Sequence, residues 1–99
     1  LVRSPAEVMV AIWQGEAKDA LNLAAELRAS GLRTDVYPAL NAKLGAQIEY
    51  AAKRNIPFVA FIGEDERAKG LVVLKNLQTA TQETIDRKEI AGVVKGVVG

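Results

Sequence analysis

Residues 57–63 read PFVAFIG, and this stretch decides the fold. Pro57 opens it, Gly63 closes it, and the five residues between them carry no polar side chain. A short, near-continuous apolar run bounded by breakers is the pattern of a strand at the centre of a sheet, buried on both faces. Just upstream, about Ala42 to Arg54 is predicted to form a helix. Leu44, Ile48, Ala51 and Ala52 make its packed face, and Lys43, Gln47, Glu49 and Tyr50 point outward. Asn41 is its expected cap, Gly45 weakens the first turn by about 1 kcal/mol relative to alanine, and Asn55 can stop the helix in a left-handed conformation.

The alternation of strand and helix continues toward the N-terminus. RTDVY (33–37) alternates like a half-exposed strand, with Val36 on one face, Asp35 and Tyr37 on the other, and Pro38 closing it. Residues 16–30 carry Ala17, Ala20, Leu21, Ala24 and Leu27 at helical spacing. Glu16 and Asp19 suit the positive end of that helix, Arg28 suits its negative end, and Gly31 is the expected C′ residue. EVMVAIW (7–13) reads as a first buried strand. Downstream, GEDERAKG (63–70) is a polar connection with room for one helical turn. LVVLKNL (71–77) and QETI (82–85) are strands joined by a link too short for a parallel crossover, so they pair antiparallel. Arg87 to Val98 closes the chain as a helix capped by Asp86, with Glu89 completing a capping box and Ile90, Val93, Val94 and Val97 toward the core. The order β-α-β-α-β-β-β-α predicts an α/β three-layer sandwich: a mixed five-stranded sheet with three main helices.

Ninety-nine residues, 49% apolar and 25% charged, suit one domain spanning residues 1–99. The chain has no histidine and no cysteine, which excludes a histidine base, a Ser/His/Asp triad, a thiolate nucleophile, disulfides and zinc–cysteine sites. The seven-residue apolar run from Ile56 to Ile62 is far short of the roughly 20 residues that span a bilayer. The N-terminal LVRSPAEVMVAI lacks the regions of a secretory signal, and a start at Leu1 points to a fragment of a longer chain. These features suit a cytoplasmic protein that binds no membrane.

A net charge of +1 argues against binding to nucleic acid by bulk electrostatics, yet allows a domain that reads a few exposed bases. Residues 41–63 are locally +2, with Lys43, Lys53 and Arg54 against Glu49. The carboxyl ends of the strands, where α/β folds bind ligands, match neither GxGxxG nor GxxxxGK[ST] and offer no aspartate at the end of the first strand. Glu64, Asp65 and Glu66 read either as a solvated loop or as carboxylates able to accept from the exocyclic amine of an unpaired base. Lys75, inside VVLKNL, serves either as edge protection or as a contact for phosphate or a base oxygen. Tyr37 can stack on a base or cover the sheet rim. Lys43 and Gln47, four residues apart, share a helical face close to the helix N-terminus. Trp13 reads as a core or rim residue.

The segment KLGAQIEYAAKRNIPFVAFIGEDERAKGLVVLKNL resembles the C-terminal anticodon-binding domain shared by class II aminoacyl-tRNA synthetases, and is most similar to the histidyl version. VMVAIWQGEAKDALNLAAELRASGLRTDVY fits the same family, so the resemblance covers residues 7–97. It implies a C-terminal domain that binds the anticodon loop of tRNA, histidine tRNA in the histidyl case. A separate catalytic domain of the same chain, in a homodimeric parent enzyme, would use ATP and Mg to charge the tRNA, with no cofactor bound by the domain itself. It implies further that Glu66 and Lys75 lie near the anticodon and that Tyr37, Lys43 and Gln47 line the same rim; on that footing exposed bases are expected to pack near Tyr37 and bond to Glu66, Gln47 and Lys75, with Lys43 and Arg54 assisting at backbone phosphate. Two positions depart from the family pattern: the last turn, often TGEQ in bacterial relatives, is Thr79-Ala80-Thr81-Gln82 here, and Arg67 stands where a small apolar residue is common. The alternatives are a synthetase-like regulatory or subunit-interaction module, the equivalent domain of a prolyl-, threonyl- or glycyl-tRNA synthetase, and a small-ligand-binding α/β domain.

Overall fold

The computed structural model describes residues 6–13, 17–38 and 42–98. The expected cap at Asn41 and the acidic first-turn residue Glu16 lie outside them. β1 (Val8–Val10), α1 (Ala17–Ala29), β2 (Thr34–Val36), α2 (Leu44–Lys53), β3 (Phe58–Phe61), α3 (Glu64–Lys69), β4 (Leu71–Asn76), β5 (Thr81–Asp86) and α4 (Ile90–Val98) follow in that order, with a 3-10 turn at Arg87–Glu89 leading into α4. The sheet has the strand order β2-β1-β3-β4-β5. β1 runs parallel to β2 and β3, and β4 runs antiparallel to both β3 and β5. The centre falls on β3, whose four residues are all buried.

Successive residues of β3 face opposite ways and build two cores. Phe58 and Ala60 join Val8, Val10, Val72 and Leu74 beneath α1 and α4, which contribute Leu23, Ala24, Leu27, Ile90 and Val94. Val59 and Phe61 join Met9, Ala11 and Val73 beneath α2, which contributes Ala51 and, at its edge, Leu44 and Ile48. Two helices therefore cover one face of the sheet and one helix covers the other. Five strands at about 4.8 Å spacing measure about 19 Å between outer axes, and a helix is about 10 Å across, so α2 alone leaves part of its face open. The open part is β4–β5. Thr81, Gln82, Glu83 and Thr84 are exposed, and only Ile85 is half-buried, on the α1/α4 side.

Several sequence expectations shift at this level. The buried stripe of α1 is Ala20, Leu23, Ala24 and Leu27, an i, i+3, i+4, i+7 row, which turns Leu21 outward at 55% exposure. Ile90 and Val94 of α4 are buried, but Lys95, Gly96 and Val97 beyond them are exposed, Val97 at 54%. Asp86 caps the 3-10 turn, through the Lys88 N–H at 2.8 Å, and not α4 itself. Arg67 gains a partner in Asp19, 2.9 Å away, which ties α3 to the first turn of α1. The β4–β5 turn places Ala80 at φ 57°, the left-handed position that the glycine of the family pattern would fill without strain.

Ala80→Gly should therefore stabilise the domain by about 0.5–1 kcal/mol, because relief of left-handed strain outweighs the extra freedom glycine has in the unfolded chain. Ile90→Ala should cost about 3 kcal/mol and Val97→Ala less than about 0.5 kcal/mol. Urea unfolding of the three variants checks all of these; equal costs at positions 90 and 97 would contradict the observed packing of α4.

Candidate nucleic-acid interface

The open face follows from strand parity. Lys75 pairs in register with Val59 of β3 and Gln82 of β5, and Val73 pairs with Phe61 and Thr84. Paired residues point to the same side. Val59, Phe61 and Val73 belong to the α2-side core, so Lys75, Gln82 and Thr84 also face that side, beyond the reach of the helix. Lys75 is half-buried, and its ammonium makes no ion pair among the described residues.

Two elements stand at the end of the sheet where β3 exits. Gly63 leaves β3 directly into α3, and Glu66 Oε1 accepts a hydrogen bond from the Gly63 N–H at 3.1 Å. Of the three consecutive carboxylates, Glu64 and Asp65 are exposed, whereas half-buried Glu66 is tied to the frame with its second oxygen unpartnered among the described residues. Trp13 follows β1 at the same end and packs edge-to-face on Phe61, with ring centroids 5.3 Å apart. It is half-buried against the α2-side core, as a rim residue. From Leu71, level with this end, four residues of β4 lead to Lys75, about 14 Å away. Glu66 and Lys75 thus stand at opposite ends of the platform.

The other sequence-predicted residues divide around α2. Lys43 occupies the N-cap position, exposed and without a side-chain capping bond. Tyr37 follows the edge strand β2, anchored by its N–H to Val10 C=O at 3.0 Å. Its ring meets Tyr50 edge-on at 5.1 Å, and the Arg54 guanidinium lies 4.4 Å from the centre of the Tyr50 ring. This ladder borders a groove of about 250 Å³ lined by Tyr37, Ala46, Glu49, Tyr50 and Lys53. It lies on the β2 side of α2, whereas Lys75 lies three strands away, about 14 Å across the sheet. Tyr50, which carries Arg54, had no assigned role in the sequence reading; its i, i+4 spacing to Arg54 was the available signal.

Gln47 requires a correction. The sequence reading places it outward as a contact residue, but it is fully buried. Its Oε1 accepts from the Ile12 N–H at 2.8 Å, and its Nε2 donates to the Ile12 C=O at 2.8 Å and the Ala42 C=O at 3.0 Å. The side-chain amide thus pairs with Ile12 as a neighbouring strand would and joins the exit of β1 to the entrance of α2. The signal was present in the spacing: 44, 47, 48 and 51 form one i, i+3, i+4, i+7 stripe.

Among the described residues, no group of three or more His, Cys, Asp or Glu side chains could hold a metal, and no helix is long and apolar enough to cross a membrane. What these residues offer, spread around α2 and along the sheet, is a cation, a positioned carboxylate and two aromatic clusters, groups suited to hydrogen bonding and charge contact with an unpaired nucleic-acid strand.

Comparison with known proteins identifies the family. The sequence profile of the family described as anticodon binding domain matches residues 7–96, and this chain belongs to that family. It is 43% identical over 83 residues to the histidine–tRNA ligase of Porphyromonas gingivalis, covering 84% of this chain and 18% of the relative. It is 35% identical over 96 residues to the histidine–tRNA ligase of Xylella fastidiosa, covering 96% and 20%. The crystal structure of histidyl-tRNA synthetase from Nostoc sp. PCC 7120 superimposes with a TM-score of 0.88 at 31% identity, covering 96% of this chain and 23% of that one. The chain spans about a fifth of the length of the curated relatives it matches.

Gln47→Leu should destabilise the domain by about 3 kcal/mol, because it strands both backbone groups of Ile12 and the Ala42 carbonyl away from their partner. Lys43→Ala, at an exposed position, should change stability by less than about 0.5 kcal/mol. Thermal and urea unfolding of the two variants separate the buried clamp from the surface cation; a stable Gln47→Leu would contradict the clamp.

Proposed function

We propose that this chain is the anticodon-binding domain of a histidine–tRNA ligase. In this reading it holds the anticodon loop of histidine tRNA, and a separate catalytic domain of the same chain joins histidine to that tRNA with ATP. The observation that carries the reading is the open α2-side face of β4–β5, with Lys75 on it and Glu66 at its rim. The similarity to histidine–tRNA ligases over nearly the whole domain supports it.

The residues divide the work by chemistry. Loop bases of tRNA can be unstacked and presented on their hydrogen-bonding edges. The free oxygen of Glu66 accepts from the exocyclic amine of one base. The unpaired ammonium of Lys75, further down β4, meets a phosphate or a base oxygen of another nucleotide. On the other side of α2, Tyr37 packs near a base or ribose, and Arg54, held over Tyr50, contacts backbone phosphate with help from Lys43. Gln47 acts from beneath by holding the rim. The domain performs no chemistry of its own. ATP and Mg would be held by the catalytic domain, in a homodimeric cytoplasmic enzyme, and docking the anticodon here orients the tRNA so that its acceptor end reaches that site.

A net charge of +1 implies few phosphate contacts and a shallow dependence of affinity on salt. Titration of this chain with a histidine-tRNA anticodon stem-loop, against scrambled loops and across a salt series, should show selective binding with NMR shifts at Tyr37, Glu66 and Lys75. Lys75→Ala should weaken binding about tenfold, as loss of a charge-assisted contact does, and Glu66→Gln should change discrimination among anticodon variants with little effect on folding. Equal affinity for every loop, lost together at moderate salt, would reject the proposal.

A further inference from the structure

Where α2 hands over to β3 and β4 turns toward β5, a notch of about 200 Å³ is lined by Ala52, Asn55, Ile56, Pro57, Leu77 and Gln78. We propose that this notch seats one unstacked nucleobase of the bound RNA, read by the side-chain amides of Asn55 and Gln78. The proposal rests on the anticodon-binding reading and adds to it a base site that neither the sequence pattern nor the platform residues assign.

The notch is built before any ligand arrives. Leu77 N–H donates to Pro57 C=O at 2.8 Å, which staples its two walls together. Asn76 Oδ1 accepts from the N–H groups of Gln78 and Thr79 at 2.9 and 3.2 Å and fixes the turn that carries Gln78. Asn55 sits in the left-handed region at φ 59°, with its N–H bonded to Ala52 C=O at 3.1 Å. Backbone bonds thus hold both amide-bearing residues, while neither side-chain amide has a hydrogen-bond partner among the described residues and both residues are exposed.

The chemistry selects the occupant. Half-buried Pro57 and Leu77, backed by buried Ile56, offer an apolar surface to the face of a planar ring. Each free amide carries both a donor and an acceptor, the complement of a base edge. The volume is small against ordinary small-molecule pockets of about 300–1,000 Å³ and suits a single ring system. The notch also continues the platform. Leu77 lies two residues beyond Lys75, about 7 Å along the chain, and packs against the same α2-side core. A base seated in the notch therefore brings its phosphate within range of the unpaired Lys75 ammonium.

The test uses this chain and anticodon stem-loops in which each loop nucleotide is made abasic in turn, read by fluorescence anisotropy. Asn55→Gly removes one amide while preserving the left-handed backbone, and Gln78→Ala removes the other; circular dichroism melting of the double variant should match the parent within a few degrees. The double variant should bind the intact loop about tenfold more weakly with an unchanged salt slope. That penalty should vanish for one abasic position and persist for the rest. A penalty present for every abasic RNA, or no weakening at all, would overturn the base site. If the parent chain discriminates among loops while the double variant behaves identically, only the notch proposal fails. If the parent binds scrambled and intact loops alike, the anticodon reading fails and the notch proposal fails with it.

Discussion

The structure depends on burying β3 on both faces. Its four residues have no wet side, so the chain must place cover above and below it. That cover is unequal: α1 and α4 on one face, α2 alone on the other. The inequality creates the functional surface. A second helix on the α2 side would bury Lys75 without a partner, at the cost of stranding a charge in a low-dielectric core. With the flank open, the same lysine keeps its head in water and its stem on the sheet.

Gln47 shows how such a platform keeps its shape. β1 has only three ladder residues, and beyond them Ile12 would present unpaired backbone groups beneath the rim. One buried amide satisfies both of them and also holds the Ala42 carbonyl, just ahead of α2. The Trp13 ring then continues from a held backbone onto Phe61. Apart from the loops that enter it, the rim beside the platform is joined through side-chain bonds: Gln47 on one strand exit and Glu66 on another. Groups that appear available for a ligand in the sequence are partly committed to this frame, which narrows the set left to touch RNA.

Much of the fold was legible because periodicity and breakers report it directly. PFVAFIG between Pro57 and Gly63, the short antiparallel link after LVVLKNL, and the alternation of strands and helices lead to the observed sheet. The helix faces were less legible. Leu21 and Val97 have core-like side chains at nearly correct spacing, yet they point outward because the contact line of each helix is narrower than its apolar arc. The candidate site was legible by residue type and not by arrangement. Glu66 and Lys75 carry the charges the sequence singled out, but Glu66 is held in α3 against Gly63, whereas Lys75 sits within β4, level with Val59. Tyr37 and Arg54 came together through Tyr50, 17 residues apart in sequence and joined across two elements.

By itself, the sequence determined what this protein is made of and what it lacks. Local hydrophobic pattern, glycine and proline placement, and the absence of histidine and cysteine set the elements, their order and the chemistries excluded, because each of these acts within a few residues of chain. Only the tertiary structure decided which polar side chains are available. Whether Gln47 is a contact or a clamp, whether Lys75 is covered or open, and whether Asn55 and Gln78 share one notch depend on segments up to 35 residues apart brought to the same place. The physical reason is that hydrogen bonding and solvation are properties of three-dimensional neighbours. A glutamine reads as polar in any sequence, and only packing shows whether its partner is water, RNA or the backbone of another strand.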